Sequence, residues 1–148
     1  MPTKSALYDQ DFYAWSSQQA ALLRSGNLSQ ADLENIAEEI DSMGRTEKRE
    51  LVSRLTVLLL HLLKWQFQPK KRGKSWQLSV DEQRFQATSH LADNPSLKAR
   101  LPEAIAEAYH VAIIKAARET RLSKSTFPAS CPYSFEQMMD DDFWPEQG

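Results

Sequence analysis

Cysteine, glycine and proline are scarce in this sequence, and their scarcity excludes several classes of protein. Among 148 residues there are one cysteine, four glycines and seven prolines. A single cysteine excludes both an internal disulfide framework and a zinc site built from several cysteines. Folds made of short strands need more turn residues than this, and no proline occurs between residues 3 and 68. The composition therefore favours long helices.

Long apolar runs and an excess of positive charge are also missing. The longest apolar-rich run, Leu55–Leu63, has nine residues, whereas a helix needs about 20 to span a bilayer. The first 15 residues lack the apolar segment and cleavage site of a secretory signal. The net charge of −2 excludes a uniformly basic protein that coats nucleic acid. We therefore expect a cytoplasmic protein that does not enter the membrane.

The spacing of apolar residues predicts an all-α fold, a helical bundle of about five main helices in a single domain spanning residues 1–148. Residues 1–122 form its helical core. Residues 123–148 form an ordered aromatic extension that wraps over the bundle and ends in a short helix. Ser134 and Gln137 predict a capping box at the start of this helix. The first four predicted helices cover 9–25, 29–43, 46–67 and 79–92, and the fifth begins at Pro95.

Two of these helices carry clear apolar patterns. The third is apolar on nearly all sides, especially over Leu51–Leu63, so we expect it to be central. The second is capped by Ser29 and ends at Gly44. Its predicted core stripe consists of Leu33, Ile36, Ala37, Ile40 and Met43.

Arg84 falls inside the apolar stripe of the fourth predicted helix, where a guanidinium needs hydrogen-bond acceptors. We expect a carboxylate partner, first Glu39, with Glu38 and Asp41 as alternatives. His61, on the flank of the third helix, is the expected third member. A Glu39–His61–Arg84 cluster can be a catalytic site or an anion- or metal-binding site. The favoured interpretation is a polar clip that joins three helices, because buried ion networks often have no catalytic role.

The sequence contains few other signs of a catalytic or metal-binding site. The three histidines, His61, His90 and His110, lie on three predicted helices without metal-binding spacing. No glycine-rich phosphate loop or nucleophile elbow is present. Cys131, between Ser130 and Pro132, is expected to be a packed side chain rather than a nucleophile. We therefore predict no metal and no cofactor.

The most distinctive segment, Lys64–Trp76, carries five basic residues, no acidic residue and interleaved aromatic rings. It is either a solvated loop with both tryptophans in the core, or a docking surface, or a site for single-stranded nucleic acid. The docking partner in the second case is the acidic segment Glu136–Glu146, in the same chain or in another one. The candidate binding residues are Trp65, Lys70, Lys71, Arg72, Lys74 and Trp76.

From residue 8 to residue 145 the sequence resembles the bacterial domain-of-unknown-function family numbered twenty-nine. The motifs that carry the resemblance are YDQDFYAW, AEEIDSMG, LLLHLLKWQFQP, SW followed by QR, NPSL, and FPASCPYS leading to DFWP. The resemblance implies a small, all-helical, intracellular bacterial protein. It implies no activity, cofactor or catalytic residue. The family pattern includes Glu38, Glu39, His61, Trp65, Trp76 and Arg84, whereas Tyr133 stands where a tryptophan is expected.

The leading functional hypothesis is a non-catalytic binding or interaction protein, with a protein partner or a second copy of itself. It depends on the missing catalytic signatures and on the opposed charges of the two segments. The alternatives are an enzyme or an anion- or metal-binding protein that uses the Glu39–His61–Arg84 cluster, and, ranked last, nucleic-acid binding through Lys64–Trp76.

Overall fold

The computed structural model describes residues 4–146, and within this range every regular element is a helix. The all-α prediction, including the short final helix, is confirmed. Two compact units, 1–46 and 47–148, divide the chain, and the expected single domain with a core over 1–122 stays a prediction. The α-helices are α1 (Lys4–Gln10), α2 (Phe12–Arg24), α3 (Leu33–Phe67), α4 (Lys74–Asp93), α5 (Leu101–Thr120) and α6 (Phe135–Met139).

Helix α3 is one continuous helix of 35 residues, so the predicted break at Gly44 is wrong. A glycine inside a helix costs only about 1 kcal/mol relative to alanine, and good helix formers flank Gly44 on both sides. The predicted cap at Ser29 is also wrong. Asp32 occupies that position, and its carboxylate accepts a 3.4 Å hydrogen bond from the backbone N–H of Asn35.

The first unit contains α1, α2 and the start of α3, and polar contacts join them. Asp11 separates α1 from α2 and caps α2 through the backbone N–H of Ala14, at 3.0 Å. The predicted helix over 9–25 is therefore two helices. The indole N–H of Trp15 donates to Asp32 at 3.1 Å, and Gln19 accepts from the Asp32 backbone N–H at 2.6 Å. Gly26, with φ at +76°, follows the end of α2.

The predicted core stripe of the second helix is not buried. Leu33 is 52% exposed, Ile40 63% and Met43 67%. The 3.6-residue spacing identifies a face of a helix correctly, but it does not establish that another element covers this face. Among the described apolar residues of the first unit, only Trp15 and Ala31 are buried.

The second unit holds the hydrophobic core, and the central position predicted for Leu51–Leu63 is confirmed. Leu51, Leu55 and Leu58 are completely buried, as are Leu59, Leu62 and Leu63. On α5 a stripe of alanines faces the same core, and small side chains permit close helix packing. These alanines are Ala104, Ala108, Ala112 and Ala116.

Two helix starts in the second unit differ from their predictions. α4 begins at Lys74 rather than at Ser79. Pro95 opens a short 3-10 segment, and α5 itself begins at Leu101. Pro102 lies in the first turn of α5, where the missing N–H has no helical partner to lose, so it does not kink the helix.

The segment after α5 packs onto the core of the second unit. Phe127, Tyr133 and Met138 are buried. Ser134 and Gln137 form the predicted capping box at the start of α6. The Gln137 N–H donates to the serine Oγ at 3.1 Å, and the Ser134 N–H donates to the glutamine Oε1 at 2.9 Å. Helix α6 packs against α4.

Candidate functional site

Arg84 is the most deeply buried charged side chain among the described residues, with 1% of its surface exposed. Its Nε donates to the carbonyl of Met138 at 2.7 Å, and Nη2 donates to the carbonyls of Phe143 at 2.8 Å and Gln137 at 3.3 Å. The last carbonyls of a helix have no partner within it and carry partial negative charge. Arg84 therefore joins α4 to the end of α6.

The expectation of a carboxylate partner for Arg84 is wrong, because backbone carbonyls take that role. Burial lowers the pKa of the Arg84 guanidinium, and the negative charges of Asp141, Asp81 and Asp140 oppose this shift. The side chain keeps its positive charge because arginine does not lose its proton in proteins. The ring of Trp144 lies beside the guanidinium, 5.4 Å from its carbon to the ring centre.

Glu39 and Glu38 both have partners within the first unit. Glu39 accepts a hydrogen bond from the hydroxyl of Tyr8. This hydrogen bond, with smaller effects of burial and of nearby negative charge, raises the pKa of Tyr8 to about 12. Glu38 pairs with Arg45 at 2.9 Å on an exposed surface. Both glutamates therefore have local structural partners.

His61 also has a local partner. Its Nδ1 lies 2.9 Å from the carbonyl of Val57, one turn earlier in α3. A carbonyl only accepts, so Nδ1 is the donor in this hydrogen bond. His61 and Arg84 are not hydrogen-bonded to each other within the second unit. Each of the three residues in the predicted cluster thus has a separate partner.

The basic segment contacts the acidic end of the chain through Arg72. Its Nε donates to the carbonyl of Trp65 at 2.7 Å, Nη2 donates to the carbonyl of Pro145 at 3.4 Å, and Nη1 lies 3.7 Å from the carboxylate of Glu146. Trp65 is buried, with its ring centre 4.6 Å from that of Trp144. Arg72 therefore links the basic segment to the end of the acidic segment within this chain.

The remaining candidates of the basic segment are divided between packing and solvent. Lys64 pairs with Glu119 at 3.3 Å and lies over the ring of Trp76, 4.9 Å from its centre. Lys70, Lys71 and Lys74 are exposed and have no ion pair among the described residues. With Trp65 buried and Trp76 covered on one face by a lysine, the segment offers little aromatic surface for stacking bases.

Cys131 has the features of a structural thiol. It is half-buried, its Sγ lies 3.5 Å from the carbonyl of Tyr133, and burial raises the pKa of the thiol. A thiol with a raised pKa stays protonated at neutral pH, whereas the thiolate is the nucleophile. In the part of the chain that the structure describes, no group of three or more histidine, cysteine or acidic side chains is arranged to hold a metal.

Tyr109 ties α5 to the segment that follows it. Its hydroxyl donates to the carbonyl of Pro128 at 2.7 Å, and burial, with a smaller effect of Cys131, raises its pKa to about 12. An unfolded tyrosine has a pKa of about 10. Folding therefore favours the neutral phenol over the phenolate. This contribution to the free energy of unfolding is complete below about pH 10 and is lost as the pH rises towards 12.

We expect the free energy of unfolding to fall less steeply with alkaline pH in Tyr109→Phe than in the wild type. The variant has no phenol to ionise at this position, although it loses about 1 kcal/mol of hydrogen bonding at neutral pH. Urea unfolding at a series of pH values between neutral and about 12 measures both slopes. Identical slopes contradict the prediction.

The family described as Domain of unknown function DUF29 matches residues 7–144. The chain belongs to this family, as the sequence motifs predicted. No curated protein and no solved structure matches the chain. Within residues 4–146, no helix combines the length and the apolar character needed to cross a membrane.

Sequence reasoning missed two features of this structure. One is the attachment of Arg84 to backbone carbonyls, which every residue type supplies and which therefore leaves no trace in the sequence. The other is a cavity beside Arg84. The sequence did contain a signal for the cavity. Arg84, Phe85 and Thr88 follow Asp81 by three, four and seven residues, and this spacing places all four on one face of a helix.

Proposed function

We propose that the protein is a non-catalytic cytoplasmic interaction module that associates with a second copy of itself through the first unit. The interaction surface is the apolar face of α3 formed by Leu33, Ile36, Ile40 and Met43. The observation that carries the proposal is the exposure of three of these four side chains by more than half. A large apolar face open to water is unfavourable for a monomer and typical of an interface.

The spacing of this face suits another helix. Residues 33, 36, 40 and 43 follow the alternating intervals of three and four that form the seam of paired helices. Ala37 and Gly44 lie beside the seam on the same helix and are exposed. Such small side chains let a second helix backbone approach closely.

The small core of the first unit favours a second copy as the occupant. Compact units of this size are marginally stable alone and commonly depend on association. Seven large apolar side chains of the unit are exposed, and three of them lie on this face of α3. The seven are Phe12, Tyr13, Leu23, Leu28, Leu33, Ile40 and Met43. A second copy is the one partner available whenever the chain is made, and a two-fold interface needs only one surface.

The residues considered for catalysis support a structural role. Glu39 bonds to Tyr8 and His61 to its own helix, while Arg84 binds backbone carbonyls. Cys131 is held as a protonated thiol. Each of these side chains is engaged in a contact within the fold, and this supports an interaction protein over an enzyme.

Analytical ultracentrifugation over a concentration series tests the proposal. We expect the wild type to dimerise, and the double variant Ile40→Ser/Met43→Ser to bind itself at least about tenfold more weakly, because two apolar side chains no longer leave water. Leu78→Ser is the matched control, since Leu78 is 56% exposed on α4 in the other unit. It is expected to dimerise like the wild type.

Salt distinguishes this interface from an ionic one. Apolar association persists at high salt, whereas contacts between exposed charges are screened. A wild type that is monomeric at every concentration contradicts the proposal. A dimer that dissociates in high salt, or that survives the double substitution unchanged, also contradicts it.

A further inference from the structure

A groove follows the partly exposed face of α5, between this helix and residues 124–131. It consists of two adjoining cavities of about 520 and 440 Å³, each within the range of small-molecule sites, roughly 300–1,000 Å³. The lining residues that the two cavities share are His110, Ile113 and Ala129. Along α5 the lining extends from Pro102 to Ile114, which is about 18 Å of helix. The groove is therefore long enough for an extended ligand.

Apolar side chains form most of the groove. Tyr109 and Phe127 are buried and line it from below, so the core fixes their positions. Ile105 and Ile113 are half-buried and pack against the same core. The hydrogen bond from Tyr109 to the carbonyl of Pro128 joins the two walls. An alkyl chain in this groove would leave water and contact apolar side chains along its length.

The groove carries positive charge at one end. Lys124 lines only the cavity that includes Ile114, it is exposed, and it forms no ion pair with any described residue. Among the described residues, no aspartate or glutamate lines either cavity, although the chain has 20 acidic and 18 basic residues. The cavity at the Pro102 end has no lysine or arginine in its lining. One end of the groove therefore attracts an anion, and the other end offers apolar surface.

We propose that this groove binds a free long-chain carboxylate, a fatty acid. The carboxylate accepts a charge-assisted hydrogen bond from Lys124. The alkyl chain lies along Ile113 and Ile105 towards Pro102. An extended peptide would bury backbone N–H and C=O groups against these apolar side chains, whereas an alkyl chain has no polar group to bury.

Titration calorimetry with dodecanoate, below the concentration at which it forms micelles, tests the inference. We expect saturable binding of one molecule per chain. Lys124→Gln is expected to bind at least about tenfold more weakly and, because Lys124 is exposed, to fold normally. Lys98→Gln is the control, since Lys98 is also exposed and lies outside both cavities. Hexanoate, with a shorter chain, is expected to bind more weakly, and dodecylammonium is expected not to compete.

Cys131 reports whether the ligand occupies this groove. It is the single cysteine of the chain and lines the cavity at the Pro102 end. At a dodecanoate concentration about ten times the Kd, only about a tenth of the chains have an open groove. Alkylation of Cys131 by iodoacetamide is therefore expected to be about tenfold slower than without dodecanoate.

Filling the groove is expected to prevent binding. Ala106 is exposed and lines the cavity at the Pro102 end, so Ala106→Phe is expected to fold and to bind dodecanoate at least about tenfold more weakly. Ala92→Phe, at an exposed position of α4 outside both cavities, is the matched control and is expected to bind like the wild type.

The location of the groove separates this inference from the proposed dimer. All its lining residues belong to the second unit, so Ile40→Ser/Met43→Ser is expected to bind dodecanoate like the wild type. Loss of binding in that variant overturns the inference, because it places the ligand on α3. Absence of saturable binding, unchanged alkylation of Cys131, or equal binding by Lys124→Gln also overturns it, as does binding to anionic lipid vesicles without binding of free dodecanoate.

Discussion

Replacing Arg84 with alanine is expected to lower the free energy of unfolding by about 3–5 kcal/mol. The substitution removes three hydrogen bonds from a charged donor, to the carbonyls of Gln137, Met138 and Phe143. It also leaves a void where a large side chain with 1% exposure had filled the interior. The carbonyls of Met138 and Phe143 lose the donors that Arg84 supplies, and so the segment after α6 is expected to loosen first.

Two measurements check this result. Urea unfolding followed by circular dichroism gives the change in free energy, and hydrogen exchange is expected to show lost protection over residues 137–144. Arg84→Lys is expected to recover part of the stability, because one ammonium cannot replace a planar guanidinium that reaches three carbonyls.

Arg100→Ala is the control for Arg84→Ala. Arg100 is exposed and pairs with Glu103 on the surface, so its removal is expected to cost less than about 1 kcal/mol. If Arg84→Ala destabilises the chain no more than this control does, the assignment of Arg84 as the link between α4 and α6 is wrong.

Local signals in the sequence predicted the elements that depend on local physics. The capping box of Ser134 and Gln137 is correct because both partners lie within one turn. The buried helix over Leu51–Leu63 is correct because an all-round apolar helix has few other solutions. The break at Gly44 is wrong because one unfavourable residue does not stop a helix when good helix formers, Met43 and Arg45, flank it.

The tertiary features were only partly predictable. The position of Arg84 in an apolar stripe indicated correctly that its side chain turns inward. Its partners could not be predicted, since carbonyls of residues 137–143 carry no sequence signal. The exposure of Ile40 shows the same limit: periodicity gives the direction of a face, while burial depends on which other element covers it.

Replacing Leu58 with alanine is expected to cost about 2–5 kcal/mol of the free energy of unfolding. Leu58 has no exposed surface and lies in the middle of the buried part of α3. The loss combines the transfer energy of the missing methyl groups with the cost of the cavity, since well-packed leucines around the site relax only partly. Equilibrium urea unfolding measures the change, which is expected in the midpoint rather than in the slope.

Leu78→Ala provides the matched control for Leu58→Ala, because the chemical change is the same and only burial differs. Leu78 is 56% exposed on α4, so we expect its substitution to change the free energy of unfolding by about 0.5 kcal/mol or less. A large difference between the two leucines locates the core where the structure has it. Similar small losses at both positions contradict the central placement of α3, because truncating a completely buried leucine lowers the free energy of unfolding far more than truncating an exposed one.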